Sequence, residues 1–277
     1  MNAELLIMFT LECDRAYLYA HPERELTPDE TDRYNGARAR RATGIPAQYI
    51  TGHQEFWGLD LIVSPTVLIP RPETEHVVEA VLEIISSANP KQNQQQDQRP
   101  RAGAPAPHAL RIVDVGTGSG AIALALAKEL PNAVIHATDI SAGALEVARA
   151  NTARHQLSSR IEFHQTDLLS GLSGDFDFVV SNPPYVGESE EESVQLEVRK
   201  FEPRNAVFAG PTGMEVIARL IPQAQTALKP GGWLIFEISG TIADSVHKLI
   251  ADWDETSIRN DLQGITRVAI ARKAARG

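Results

Sequence analysis

The chain has 277 residues, 43% of them apolar, and a formal net charge of −10. That length holds one large domain, or one domain with a small appendage, around a sizeable core. The acidic balance argues against a protein that grips nucleic acid chiefly through phosphates, because that affinity comes from Lys and Arg. One cysteine, Cys13, excludes an internal disulfide, fits a reducing compartment, and reads as a packed helical residue. Met1-Asn2-Ala3-Glu4 carries no basic leader, and no apolar run is long enough to span a bilayer. The expectation is a soluble, cytoplasmic monomer with no membrane partner.

In chain order, residues 3 to about 50 read as helical. Leu5, Leu6, Phe9, Tyr17 and Leu18 recur at three- and four-residue spacing. Thr27-Pro28-Asp29-Glu30 predicts a helix start, with Thr27 as N-cap and Glu30 closing a capping box; Gly44 and Pro46 end that helix near Thr43. Arg33, Arg38, Arg40 and Arg41 cluster on it, as a solvated face or a docking surface. Residues 48–69 mix aromatic and β-branched residues around Gly58 and predict a β-hairpin bridge. Pro70-Arg71-Pro72-Glu73-Thr74-Glu75 starts a helix running to Ile85. Residues 86–108 are polar and Pro/Gly-rich, a composition expected of a disordered loop.

From residue 110 strand and helix alternate. Strands are predicted at 110–115, 133–138, 161–164, 176–180, 232–238, 256–258 and 265–271, with a short helix near Leu168 and a longer one over 213–228. The fold class is therefore α/β, a mostly parallel Rossmann-like sheet covered by helices on both faces. Ligands on such sheets sit beyond the carboxyl ends of the strands, where the strand order reverses.

Two motifs lie at such ends. Asp114-Val115-Gly116-Thr117-Gly118-Ser119-Gly120 follows the first strand of the sheet, and its glycines let backbone approach a ligand closely. Asp139 ends the next strand, where an acid accepts hydrogen bonds from ribose hydroxyls. Asp114 is placed to support the glycine turn or, through water, an ammonium. Asp167 is either an adenine contact or an N-cap ahead of Leu168. The second motif, Asn182-Pro183-Pro184-Tyr185, follows the apolar run at 176–180. The Asn182 side-chain oxygen and the Pro183 carbonyl can each accept one hydrogen of a planar NH2 group. The two prolines stiffen the acceptors, and Tyr185 can pack on the plane. No metal is needed for transfer from a sulfonium, and the sequence shows no His/Cys cluster at ligand spacing. Together the motifs look like an S-adenosylmethionine (SAM) loop and a target-nitrogen clamp. The acceptor is then an exocyclic base amine or a side-chain amide.

The chain resembles the release-factor glutamine N5-methyltransferases. The resemblance rests on Asn182-Pro183-Pro184-Tyr185, on residues 114–120, and on Leu68-Ile69-Pro70-Arg71-Pro72-Glu73-Thr74-Glu75. It extends to Gln48-Tyr49-Ile50-Thr51-Gly52, Glu55-Phe56-Trp57, Phe201-Glu202-Pro203-Arg204 and Gly213-Met214. The family implies an N-terminal helical docking domain (1–47), a hairpin bridge (48–69) and a seven-stranded SAM-dependent domain (70–277). It implies methyl transfer to the glutamine of the Gly-Gly-Gln motif of class I peptide chain release factors, giving S-adenosylhomocysteine and needing no direct nucleic-acid contact. Gly116, Thr117, Gly118, Ser119, Gly120, Asp139, Asp167 and Leu168 fall at cofactor-binding positions. Asn182 touches both cofactor and substrate, and Pro183, Pro184 and Tyr185 complete the clamp. Two departures stand out: the N-terminal helical part enters at a helix that another usually precedes, and the insertion at 86–108 is long. The clamp alone is shared with adenine-N6 methyltransferases and with enzymes acting on a ribosomal-protein glutamine, which remain the alternatives.

Overall fold

The computed structural model describes residues 2–88, 109–172 and 174–275. Four helices open the chain: α1 (Asn2–Leu11), α2 (Arg15–Ala20), α3 (Pro28–Ala42) and α4 (Ala47–Thr51). The capping box forms as read: Thr27 Oγ1 accepts from Glu30 N at 3.3 Å and Glu30 Oε2 accepts from Thr27 N at 2.9 Å. Cys13 is not helical; it is half-buried in the turn between α1 and α2, where Asp14 caps the second helix.

The hairpin is β1 (His53–Phe56) and β2 (Leu59–Ile62), turning at Trp57-Gly58. A bridge beginning at residue 48 therefore cuts through α4, whose Tyr49 and Ile50 are buried. A 3-10 turn at Pro72–Thr74 leads into α5 (Glu75–Ala88). Residues 86–88 of the expected loop thus complete a helix, and residues 89–108 lie outside the described residues.

The rest builds one sheet. Its strands are β3 (Arg111–Val115), β4 (Val134–Asp139), β5 (Ile161–Gln165), β6 (Phe176–Ser181), β9 (Leu228–Glu237), β10 (Glu255–Asn260) and β11 (Thr266–Arg272). Between them lie α6 (Ala121–Glu129), α7 (Ala142–Arg154), α8 (Leu196–Phe201), α9 (Arg204–Val207), α10 (Glu215–Ala227) and α11 (Ala243–Leu249). A small parallel pair, β7 (Val186–Gly187) with β8 (Phe208–Gly210), flanks the site. The strand order is β10-β11-β9-β6-β3-β4-β5, parallel except that β11 runs antiparallel to both neighbours. Alternate residues feed two cores. Ile112, Ile135 and Ile235 pack with α5, α6 and the hairpin, while Val113, Leu234 and Phe236 pack with α10 and α11. β6 is buried at all six positions, which is why it reads as a continuous apolar run. Residues 168–171 form a turn rather than the expected short helix. Among the described residues no helix is long and apolar enough to cross a membrane.

The chain steps from β3 outward through β4 to β5, then returns to β6 on the other side of β3. The strand order therefore reverses between β3 and β6, and both sequence motifs leave the sheet there. Ser181 Oγ donates to Val115 O at 2.7 Å across this point.

Candidate active site

The glycine loop after β3 is shaped by its own polar groups. Asp114 is buried and its Oδ2 accepts from Thr117 Oγ1 at 2.6 Å and Ala123 N at 3.2 Å, so it supports the turn directly. Its Oδ1 has no hydrogen-bond partner among the described residues, and burial pushes the carboxyl up to about 7, against the pull of those two hydrogen bonds. Asp139, at the end of β4, accepts from Gly118 N at 2.9 Å and Ser141 N at 2.8 Å. Burial raises its pKa while these amides oppose the shift. One carboxylate thus fixes the loop and keeps further lone pairs for a ligand.

Beyond the loop lies a cavity of about 330 Å³, within the range of small-molecule sites. Gly116, Thr117, Gly118, Ser119, Asp139, Asp167, Leu168, Asn182 and Pro184 line it. Gly120 does not. Its φ is +86°, and an added Cβ would stand 2.6 Å from Leu124 Cδ1 and 3.3 Å from Ala148 Cβ. That glycine admits α6 against α7 and is a packing residue. Asp167 caps no helix; its carboxylate pairs with Arg219 on α10, at the cavity wall. Leu168 adopts φ +53°, which turns the chain at that wall.

A second cavity, of about 410 Å³, adjoins the first. Pro183 and Tyr185 line it alone, while Asn182, Pro184, Leu68 and Ala206 line both. These four residues form the partition, and the clamp motif therefore stands at the junction. Pro46 and Gln48 place the N-terminal helical part in the wall of the second cavity.

Buried polar contacts between remote segments hold this second wall. Glu202 accepts from the Arg71 guanidinium through Oε1 and from Ile69 N through Oε2 at 3.0 Å. Two segments noted only as motifs, residues 68–75 and 201–204, are joined there. Asn182 Nδ2 donates to Thr74 Oγ1 at 2.9 Å, Thr74 Oγ1 donates to Glu237 Oε2 at 2.5 Å, and Tyr185 Oη donates to Glu237 Oε1 at 2.9 Å. Burial pushes Glu237 up against the pull of both hydroxyls, and burial with the Glu237 charge pushes the Tyr185 phenol up. Glu237 is invisible to motif reading, because it ends an apolar strand. Asn151, also missed, accepts from Ile62 N at 2.6 Å and donates to Ser119 O at 2.9 Å, tying hairpin to glycine loop.

The arginine cluster divides. Arg41 pairs with Glu197 at 2.8 Å, holding α3 to α8, and Arg33 pairs with Glu12 at 3.2 Å. Arg40 reaches the Tyr49 carbonyl at 3.5 Å. Arg38 is exposed and has no ion pair among the described residues. Folding also gathers His136, Glu162 and His164 on the face of β4 and β5, a grouping that spacing did not reveal. Arg111 reaches the same patch, stacking over Phe176 beside His136, and its charge opposes a cation there.

Comparison with known proteins follows the same division. The PrmC N-terminal domain family matches residues 1–52 and the Methyltransferase small domain family matches residues 103–200. The release factor glutamine methyltransferase of Koribacter versatilis is 53% identical over 99% of this chain and 91% of its own length. That of Rhodopirellula baltica is 38% identical, over 99% and 89%. Among solved structures, the hMettl16 catalytic domain superposes with a TM-score of 0.58 at 18% identity, covering 81% of this chain and 79% of that one, a likeness of fold. With both cavities in place and identity of this extent along the whole chain, the protein belongs to the release factor glutamine methyltransferase family.

Proposed function

We propose that this chain moves a methyl group from SAM to the side-chain amide nitrogen of the glutamine in the Gly-Gly-Gln motif of class I peptide chain release factors. One observation carries the reading: two adjoining cavities share Asn182, Pro184, Leu68 and Ala206 in their walls. The first is the donor cavity. Gly116, Thr117, Gly118 and Ser119 pass the methionine portion, Asp139 meets the ribose, and the Asp167-Leu168 turn meets the adenine. Gly120 is left out of that contact set. The second is the acceptor cavity, entered from the side of Pro46 and Gln48 and lined by Pro183 and Tyr185.

An amide nitrogen is a weak nucleophile because its lone pair is delocalised. Asn182 Oδ1 and the Pro183 carbonyl accept its two hydrogens and aim the lone pair at the methyl carbon. The N–C bond forms as the C–S bond breaks, the electron pair goes to sulfur, and S-adenosylhomocysteine leaves. The methylated nitrogen then releases one proton to solvent. Alignment supplies most of the acceleration.

In this reading residues 1–47 dock the factor, 48–69 bridge, and 70–277 catalyse. Arg38 is the arginine free to meet a partner, whereas Arg41 is engaged with Glu197. Arg38→Glu weakens binding of the intact factor and not of a glutamine peptide, read by calorimetry; equal effects on both remove Arg38 from docking.

The deciding assay offers labelled SAM to a purified class I factor, its Gly-Gly-Ala variant, a ribosomal protein and a DNA duplex. Label on the wild-type factor alone supports the reading. Label on the duplex or the ribosomal protein assigns the clamp to another acceptor.

A further inference from the structure

A side-chain amide is an ambiguous group: rotated by half a turn, Asn182 presents NH2 where it had presented oxygen. Only the oxygen can accept a hydrogen from an amide substrate. Whatever sets that rotation decides whether the clamp works.

The setting lies behind the clamp. Thr74 and Glu237 are 4% and 2% exposed, Thr74 at the edge of the first cavity and Glu237 at the edge of the second. A hydroxyl owns a single proton. Thr74 gives its proton to Glu237 Oε2, leaving only lone pairs toward Asn182, and Nδ2 takes that place at 2.9 Å. The reversed amide would set Oδ1 against those lone pairs and leave Thr74 without a donor in a buried site. Tyr185 Oη occupies the other carboxylate oxygen at 2.9 Å, so a second clamp residue is tied to the same anchor. The three elements meet only in the fold: Thr74 ends the 3-10 turn before α5, Asn182 follows β6, and Glu237 ends β9.

We propose that Glu237, acting through the Thr74 hydroxyl, is the positioning device that orients the Asn182 amide with Oδ1 toward the acceptor cavity. The proposal rests on the amide-transfer reading above. Glu237 and Thr74 are positioning residues; of the three, Asn182 is the one that meets the acceptor.

The test compares Thr74→Val, which keeps the shape and deletes the hydroxyl, with Thr74→Ser, which restores it. With release factor as substrate, kcat of Thr74→Val falls about 10- to 100-fold, and because Thr74 borders the donor cavity SAM affinity is followed by calorimetry and falls by less than kcat does. Thr74→Ser recovers most of the loss. In 15N–1H spectra one of the two Asn182 side-chain amide protons is protected from exchange in wild type and in Thr74→Ser, and exposed in Thr74→Val. The resonance pair is assigned by its disappearance in Asn182→Asp. A kcat for Thr74→Val within about twofold of wild type overturns the proposal, as does a serine variant no better than valine. Equal, rapid exchange of both Asn182 protons in wild type overturns it too, and that spectrum decides the matter should the valine variant not fold. A protected proton in a wild-type protein that leaves the factor unmodified keeps the positioning device and removes the acceptor assignment.

Discussion

The donor and acceptor cavities share a partition but are held by different contacts. The donor side is held over shorter separations. Thr117 bonds Asp114 three residues away, Gly118 bonds Asp139 twenty-one away, Asn151 bonds Ser119 thirty-two away, and Arg219 pairs with Asp167 fifty-two away. The acceptor side is remote. Asn182 is set by Thr74 at a separation of 108, Arg71 by Glu202 at 131, and Thr74 by Glu237 at 163. A glycine loop at a strand end can present amides to a nucleotide-like ligand with little help from the rest of the chain. An amide clamp needs side chains held in one rotation, and only contacts converging from several segments hold them.

This contrast can be broken at the partition or sharpened on either side. The largest effect is expected at Asn182, where Asn182→Ala lowers kcat by about 10³-fold. SAM affinity by calorimetry changes little, because the glycine loop and Asp139 are untouched. Loss of SAM binding with loss of turnover would mean that the partition belongs to the donor side.

Next comes the acceptor wall. Glu202→Ala leaves Arg71 and the Ile69 amide without their acceptor, and urea unfolding should show a loss of about 3 kcal/mol. Arg71 is one-third exposed, which keeps the cost at the lower end for a broken buried pair. Turnover on release factor falls more than SAM affinity does.

The glycine loop separates binding from packing. Gly118 has φ +56° and open space around a built Cβ, so Gly118→Ala costs about 1 kcal/mol of stability and weakens SAM binding. Gly120→Ala meets Leu124 and Ala148, costs about 2–3 kcal/mol, and affects SAM mainly through α6. The check is paired calorimetry and chemical denaturation; the opposite ranking would return Gly120 to the ligand.

The smallest effect is a pH dependence on the donor side. Asp114 titrates near 3.8 unfolded and is pushed up to about 7 in the fold, so between those values the folded state holds the extra proton. Its contribution is fully present below 3.8 and is lost as pH rises toward 7. Asp114→Asn removes that slope, so the melting-temperature difference between variant and wild type should drift across the window in the variant's favour at higher pH.

Much of this was legible residue by residue. The Thr27 capping box, the apolar strand at 176–180 and the glycine loop carry local signals, and each folded as its chemistry required. Other positions make contacts in the fold that spacing alone did not show. Gly120 fits a ligand-loop spacing, but its missing Cβ serves the approach of α7. Asp167 has the form of an N-cap, but the chain turns at Leu168 and Arg219 takes its carboxylate. Arg41 sits in a basic cluster, yet Glu197, remote in sequence, neutralises it. The short helices α8 and α9 and the β7–β8 pair, each too brief to show a period, gave no signal at all.

The sequence by itself determined the longer elements, the parallel sheet and the two motifs at its switch point, because propensity, periodicity and turn chemistry act over a few residues. The tertiary structure decided which motif residues face a cavity and which pack a helix. It also decided that Glu237, the buried end of an apolar strand, sits behind the clamp. A buried carboxylate declares its role only through the donors that reach it, and Thr74 and Tyr185 reach Glu237 from distant parts of the chain.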